Sequence, residues 1–217
     1  MFKFASLVPR YQEPHRYYHN LTHIEQMLID LHQLNPRGTI TLAQHLAVWF
    51  HDAVYDPTRN DNEERSAAVL YESVKECMND TVIGTANALI LNTRLHTLDL
   101  VVDSEHARFL DADLAGLGKS FDHYLTNTIK IRLEYHHLDN KEFKDSRLNF
   151  IEMMLKKRSI YYSVIGQYLY EAQARANLEQ ELKEYNKLQD RILAVYPVIA
   201  REFNLDLSQD QVLSLFY

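Results

Sequence analysis

Only one cysteine, Cys77, occurs in the 217 residues, which excludes an intramolecular disulfide and a cysteine-rich zinc module and suits a reducing compartment. Glycine and proline number five each, too few turn signals for a sandwich or a barrel, and no alternation of apolar and polar residues marks a strand. Basic residues are outnumbered by acidic ones, 23 against 30, for a formal net charge of -7. With no Lys/Arg block, an extended nucleic-acid-binding face is not expected. No apolar run approaches membrane-spanning length, and Met1 to Pro9 has no apolar core of signal-peptide size. The expected location is therefore the cytoplasm, with no membrane partner. What the chain does have is 46% hydrophobic residues, enough to close a sizeable core, and eleven histidines.

The apolar spacing is helical throughout. Leu21, Ile24, Leu28, Leu31 and Leu34 mark one face of a first helix, with Thr22 and Glu25 in capping-box spacing and Asn35-Pro36-Arg37-Gly38 closing it. A second helix is predicted from about Thr41 to Val54, ending at Tyr55-Asp56-Pro57. A third carries Ala67, Leu70, Val74 and Cys77, and a fourth covers about Asp80 to Thr93. A fifth runs from about Glu105 to Leu117 with Gly118 as its stop, and a sixth begins after Ser120. Apolar sets at Leu148, Ile151 and Leu155, then at Tyr168, Ala172, Arg175, Leu178 and Leu182, extend the pattern into long C-terminal helices. The expectation is an all-α bundle forming one domain over 1–217, with a core at about 11–140 and C-terminal helices at about 141–217 packed on it.

Chemistry-bearing residues interrupt these apolar faces. His51 and Asp52 follow Ala47-Val48-Trp49-Phe50, His23 lies upstream and Asp113 downstream. Asp113 follows Phe109 by four and Leu110 by three and precedes Leu117 by four, so it shares their apolar stripe. Asp111 is rotated about 200° from it and is read as a supporting, capping or salt-bridging residue. His51 and Asp52 differ by about 100° of rotation, and an ion between their directions can accept a bond from each. Burying two carboxylates and two imidazoles is costly unless they compensate one another, and a divalent metal does this well. His19 and His23 superficially resemble a zinc-binding H-x-x-x-H face, but Asn20 stands where the protease motif needs glutamate. His23 is taken as the ligand, and His19 as a pocket residue or support for the ligands. His96, at a helix end, fits equally a cap of the helix dipole and a group near the metal. Glu63 and Glu64 open the third helix, where carboxylates suit the dipole without any function. Their closeness in sequence to His51-Asp52 makes Glu63 a candidate general base and Glu64, with His96, a candidate second metal site. His32, His45, His106, His123, His136 and His137 are read as ordinary.

The order His, His-Asp, Asp on a helical chain resembles the HD-domain superfamily of metal-dependent phosphohydrolases. More narrowly, Tyr18-His19-Asn20-Leu21 with His23, Phe50-His51-Asp52-Ala53-Val54-Tyr55-Asp56, Asn62-Glu63-Glu64-Arg65-Ser66-Ala67 and Leu110-Asp111-Ala112-Asp113-Leu114-Ala115-Gly116-Leu117-Gly118 are similar to a bacterial subgroup of predicted HD phosphohydrolases. The likeness extends from about Tyr11 past Arg132-Leu133-Glu134-Tyr135 to Ala174-Arg175-Ala176-Asn177-Leu178. It implies an HD-like helical bundle in which His23, His51, Asp52 and Asp113 take the positions of the metal ligands.

Mixed nitrogen and oxygen ligands suit Mn, Fe, Co, Ni, Zn or Mg, with Mg least comfortable beside two imidazoles. The expected activity is hydrolysis of a phosphorylated small molecule, a nucleotide or similar phosphoester or phosphoanhydride, by metal-activated water. Asp52 or Glu63 would take the proton, and Arg16, Arg94 and Arg132, with His19, would hold the substrate. A dinuclear iron oxygenase, and a metal- and nucleotide-binding sensor without catalysis, are the alternatives. In a sensor the C-terminal helices could transmit a signal or form a homodimer. A helical protein with internally satisfied histidines and no metal is a third reading.

Overall fold

The apolar stripes and capping residues place the helices nearly where the spacing predicts them. The computed structural model describes residues 4–36, 38–96 and 104–216; Arg37, assigned above to the loop closing the first helix, and Met1 to Lys3 of the N-terminal segment lie outside them. Every regular element among the described residues is helical. The α-helices are α1 (Val8–Tyr11), α2 (Leu21–Leu34), α3 (Leu42–Phe50), α4 (Asn62–Val74), α5 (Asp80–Thr93), α6 (Glu105–Leu114), α7 (Phe121–Glu134), α8 (Asn140–Lys156), α9 (Val164–Gly166), α10 (Ala172–Glu184), α11 (Gln189–Phe203) and α12 (Gln209–Leu213). None of the helices is long and apolar enough to cross a membrane.

Three local readings are corrected. The cap of α2 is Asn20, whose side chain accepts the Thr22 N–H at 2.9 Å, so Thr22 and Glu25 are already inside the helix and form no capping box there. The second helix stops at Phe50, and the residues after it turn, with the Ala53 N–H bonded to the Phe50 carbonyl. α4 ends at Val74 and leaves Cys77 exposed beyond it.

The chain divides into two compact units, Met1–Ala115 with Tyr161–Gly166, and Gly116–Ile160 with Gln167–Tyr217. The core expected at about 11–140 straddles that division. In the first unit α3 lies against α4 and α5, while α2 and α5 pack on α6. α3 is apolar nearly all round because it is central, and Leu46, Ala47, Val48 and Phe50 are fully buried. Burial of each such large side chain contributes about 1.5–3 kcal/mol. A reciprocal capping box starts α3, with Thr41 and Gln44 each bonding the other's backbone N–H.

In the second unit α7 packs on α11 and α8 on α10. Of the C-terminal stripe read from the sequence Leu178 is buried, but Tyr168, Ala172 and Leu182 are exposed, and the buried residues beside Leu178 are Tyr170, Ala174, Asn177 and Glu181. A π-turn at Gln167–Glu171, just before α10, breaks the 3.6-residue count. Two of the buried polar residues, Glu181 and Asn177, are held by neighbours. Glu181 receives Arg147 through two hydrogen bonds of 2.9 Å and also accepts the Tyr124 hydroxyl, while Asn177 donates to the Leu117 and Lys119 carbonyls.

Candidate metal centre

His23 sits in the first turn of α2, set there by the Asn20 cap. Its ring lies 5.0 Å from the Tyr18 ring and 6.0 Å from that of His19, centroid to centroid. His51 follows the last residue of α3, and its N–H still closes a helical bond on the Ala47 carbonyl at 2.8 Å. Its Nδ1 lies 3.0 Å from the Val48 carbonyl. A carbonyl can only accept, so Nδ1 carries a proton; in the neutral ring Nε2 then presents its lone pair. Asp52 is the next residue. Asp113 projects from the last turn of α6, on the stripe of buried Phe109 and Leu110.

These four side chains meet. The Nε2 atoms of His23 and His51 are 3.2 Å apart. His51 Nε2 lies 2.9 Å from Asp52 Oδ2 and 3.6 Å from Asp113 Oδ1, and His23 Nε2 lies 3.8 and 3.2 Å from the same two oxygens. The ligand atoms of His23, His51 and Asp52 all fall within 4.8 Å of one another. Metal bonds of about 2.1 Å set ligand atoms about 3.0 Å apart at right angles and about 3.4 Å apart at tetrahedral angles, within the spread of these separations. The donor chemistry also fits. Asp52 Oδ2 is buried without an aligned hydrogen bond, although His51 Nε2 is close to it. A cation among these atoms would answer that buried charge, which in the metal-free protein falls to a proton on His51 Nε2.

The electrostatics follow from the same crowding. Burial pulls the His51 pKa down, but the charges of Asp52 and Asp113 outweigh it and push the group up to about 9. Burial raises Asp52, yet the neighbouring His51 and His19 hold it well below the usual carboxylate range. Asp113 is likewise raised by burial and more strongly lowered by hydrogen bonds from His23 and His96. Both carboxylates therefore stay ionised, and the site requires positive charge, supplied by imidazole protons or by a cation.

The remaining expected residues separate. His96 comes to the site: its Nε2 lies 2.9 Å from Asp113 Oδ2, while the other carboxylate oxygen faces His23 and His51. His19 stacks on Tyr55 at 4.1 Å beside His23. Glu63, half-buried, has its pKa raised first by burial and also by the charge of Asp52. Glu64 instead forms an ion pair with Arg94, both about half exposed, so the expected pairing of Glu64 with His96 at a second metal gains no support from its contact. Arg16 is buried and committed to the chain itself. Through Nε and Nη1 it donates to the Asp52 carbonyl at 2.7 Å, the His19 carbonyl at 3.0 Å and Glu13 at 2.8 Å, which braces the backbone behind the candidate ligands, while Nη2 is buried without a hydrogen bond. Arg132 belongs to the second unit, where it donates to the carbonyls of Leu215, Tyr135 and Leu138 and to Asn140. Its guanidinium is spent on seating the backbone around α7 and the C-terminal segment.

Asp111 finds other partners than the candidate ligands, as its rotation requires. Fully buried, it accepts the N–H groups of Tyr162 and Ser163 at 2.7 and 2.8 Å and the Ser163 hydroxyl at 2.6 Å. Sequence reasoning missed Tyr162 and Ser163. The only local signal is the Ser163 hydroxyl three residues before Gly166, whose N–H it caps at 2.9 Å. Comparison with protein-family models, curated proteins and solved structures finds no match for this chain.

Proposed function

We propose that His23, His51, Asp52 and Asp113 hold one divalent metal ion, and that the protein is an HD-type metal-dependent phosphohydrolase acting on a phosphorylated small molecule, a nucleotide or nucleotide-like phosphoester or phosphoanhydride. The observation that carries the reading is the convergence of two imidazole nitrogens and two carboxylates, with Asp52 Oδ2 buried and without an aligned hydrogen bond. The resemblance of the four sequence blocks to HD phosphohydrolases supports the reaction class. A bound ion would supply Lewis acidity toward a phosphoryl oxygen and would lower the pKa of water.

The chain's own residues divide the remaining work. Asp52 is held too acidic to accept a proton near neutral pH, whereas burial keeps the Glu63 pKa raised, which favours Glu63 as the general base. His96 fixes the orientation of the Asp113 carboxylate, and Arg16 fixes the backbone of Asp52. His19 is the expected substrate contact that lies beside the ligands, and its stacking on Tyr55 holds the ring in place.

The test joins metal analysis to a panel of nucleotides, dinucleotides and sugar phosphates assayed with Mn2+ or Co2+. One metal per chain and turnover of a phosphoester are expected, both lost in Asp113→Ala while its circular dichroism remains that of a folded helical protein. One bound metal without turnover on any substrate would instead favour the sensor. Absence of metal binding would refute the site.

A further inference from the structure

We propose that Tyr162 is a positioning residue for the candidate metal centre, acting through His96 on the carboxylate of Asp113; the inference rests on the metal-site reading above. His96 has φ of 42°, a left-handed conformation that residues with a Cβ avoid because it crowds the following carbonyl. Its N–H still bonds the Asn92 carbonyl at 3.1 Å, at the end of the α5 turns. Its own carbonyl accepts the Tyr162 hydroxyl. From that backbone the ring extends so that Nε2 meets Asp113 Oδ2 at 2.9 Å. The carboxylate is thereby divided in its duties. Oδ2 is held by His96, and Oδ1 faces the ligand imidazoles of His23 and His51 at 3.2 and 3.6 Å. A carboxylate held in this way offers one oxygen in one direction, where a free one could swing between one- and two-oxygen contact.

Tyr162 is anchored at its other end as well. Its N–H donates to Asp111 Oδ1 at 2.7 Å, and Asp111 precedes Asp113 by two residues on α6. Ser163 adds two more bonds to the same carboxylate. One buried residue thus runs from the helix that carries Asp113 to the residue that orients Asp113. The hydroxyl is the group specific to this task, because phenylalanine would fill the same space without reaching the His96 carbonyl.

The experiment is a double-mutant cycle read by metal affinity instead of turnover. Wild type, Tyr162→Phe, His96→Ala and the double variant are titrated with Co2+, followed by visible absorption, and with Zn2+ by calorimetry. Each single substitution is expected to weaken binding about tenfold and to alter the Co2+ ligand-field bands. The double variant should bind no more weakly than His96→Ala alone, because the hydroxyl acts through that histidine. His96 lies at a partly exposed helix end, so its alanine variant keeps the test decisive if Tyr162→Phe folds poorly. Unchanged affinity and spectrum in either single variant, or additive losses in the double variant, would overturn the positioning role and leave the metal reading intact. Wild-type protein that binds neither ion would overturn both.

Discussion

His51 is oriented from within its own helix. The Val48 carbonyl, three residues back, accepts the Nδ1–H and turns Nε2 toward the carboxylates and His23. The pKa of about 9 that those carboxylates impose has a definite sign in the metal-free protein. A histidine raised from 6.5 gives its stabilisation fully below pH 6.5 and loses it as pH climbs through about 9. Metal binding runs the other way, because the proton on Nε2 must leave before a metal can bind. Apparent affinity should rise with pH by up to about tenfold per unit and level off near pH 9, as measured by calorimetry in buffers of different ionisation enthalpy. A flat profile would contradict the assignment of His51 as a ligand. At this scale the sequence was readable where a polar residue broke an apolar stripe, as Asp113 does beside Phe109 and Leu110. It was half readable for His96, where capping and site roles look alike until Asp113 is seen to meet it. Arg16 and Arg132 were not readable as braces, because the carbonyls they hold include those of Asp52, 36 residues away, and Leu215, 83 residues away.

Helix ends, more than helix middles, position the site. Asn20 starts α2 just ahead of His23, the end of α3 delivers His51, and α6 carries Asp111 and Asp113 to different partners. The contact of Asp111 with α9 is close enough to require glycine: a Cβ on Gly166 would stand 2.2 Å from Asp111 Oδ2 and 3.0 Å from Ser163 Oγ. Gly166→Ala should destabilise the fold by about 1–3 kcal/mol through overpacking and displacement of a buried carboxylate, measurable as a lower urea midpoint at unchanged slope. Wild-type stability in that variant would show that the carboxylate can move aside at no cost. Capping and periodicity made most of these elements legible, with the starts expected at about Thr41, at about Glu105 and after Ser120 holding. The register of α10 escaped because the π-turn precedes it and because its buried face carries Asn177 and Glu181, which a search for apolar spacing passes over.

The two units bury their charge for different ends. In the first, carboxylates and imidazoles converge with a buried carboxylate oxygen that makes no aligned hydrogen bond; in the second, Arg147, Glu181, Tyr124 and Thr128 satisfy one another. Glu181→Ala leaves the buried guanidinium of Arg147 without its carboxylate and should cost about 3–5 kcal/mol by denaturant unfolding. The folded fraction should nevertheless retain one metal per chain, because the candidate ligands all lie in the other unit. Loss of stoichiometric metal from the folded variant would contradict that division of labour. The all-α class was legible at this scale from scarce glycine and proline. The division itself was not, since the first unit takes back Tyr161–Gly166 after a 45-residue excursion that no composition shift marks. That return has a consequence for the order of events on the ribosome. Every candidate ligand has been synthesised by Asp113, but the strap that seats Asp111 and restrains His96 emerges only with Tyr162 and Ser163. A nascent chain therefore carries all four candidate donors well before the segment that contacts Asp111 and His96 has been made.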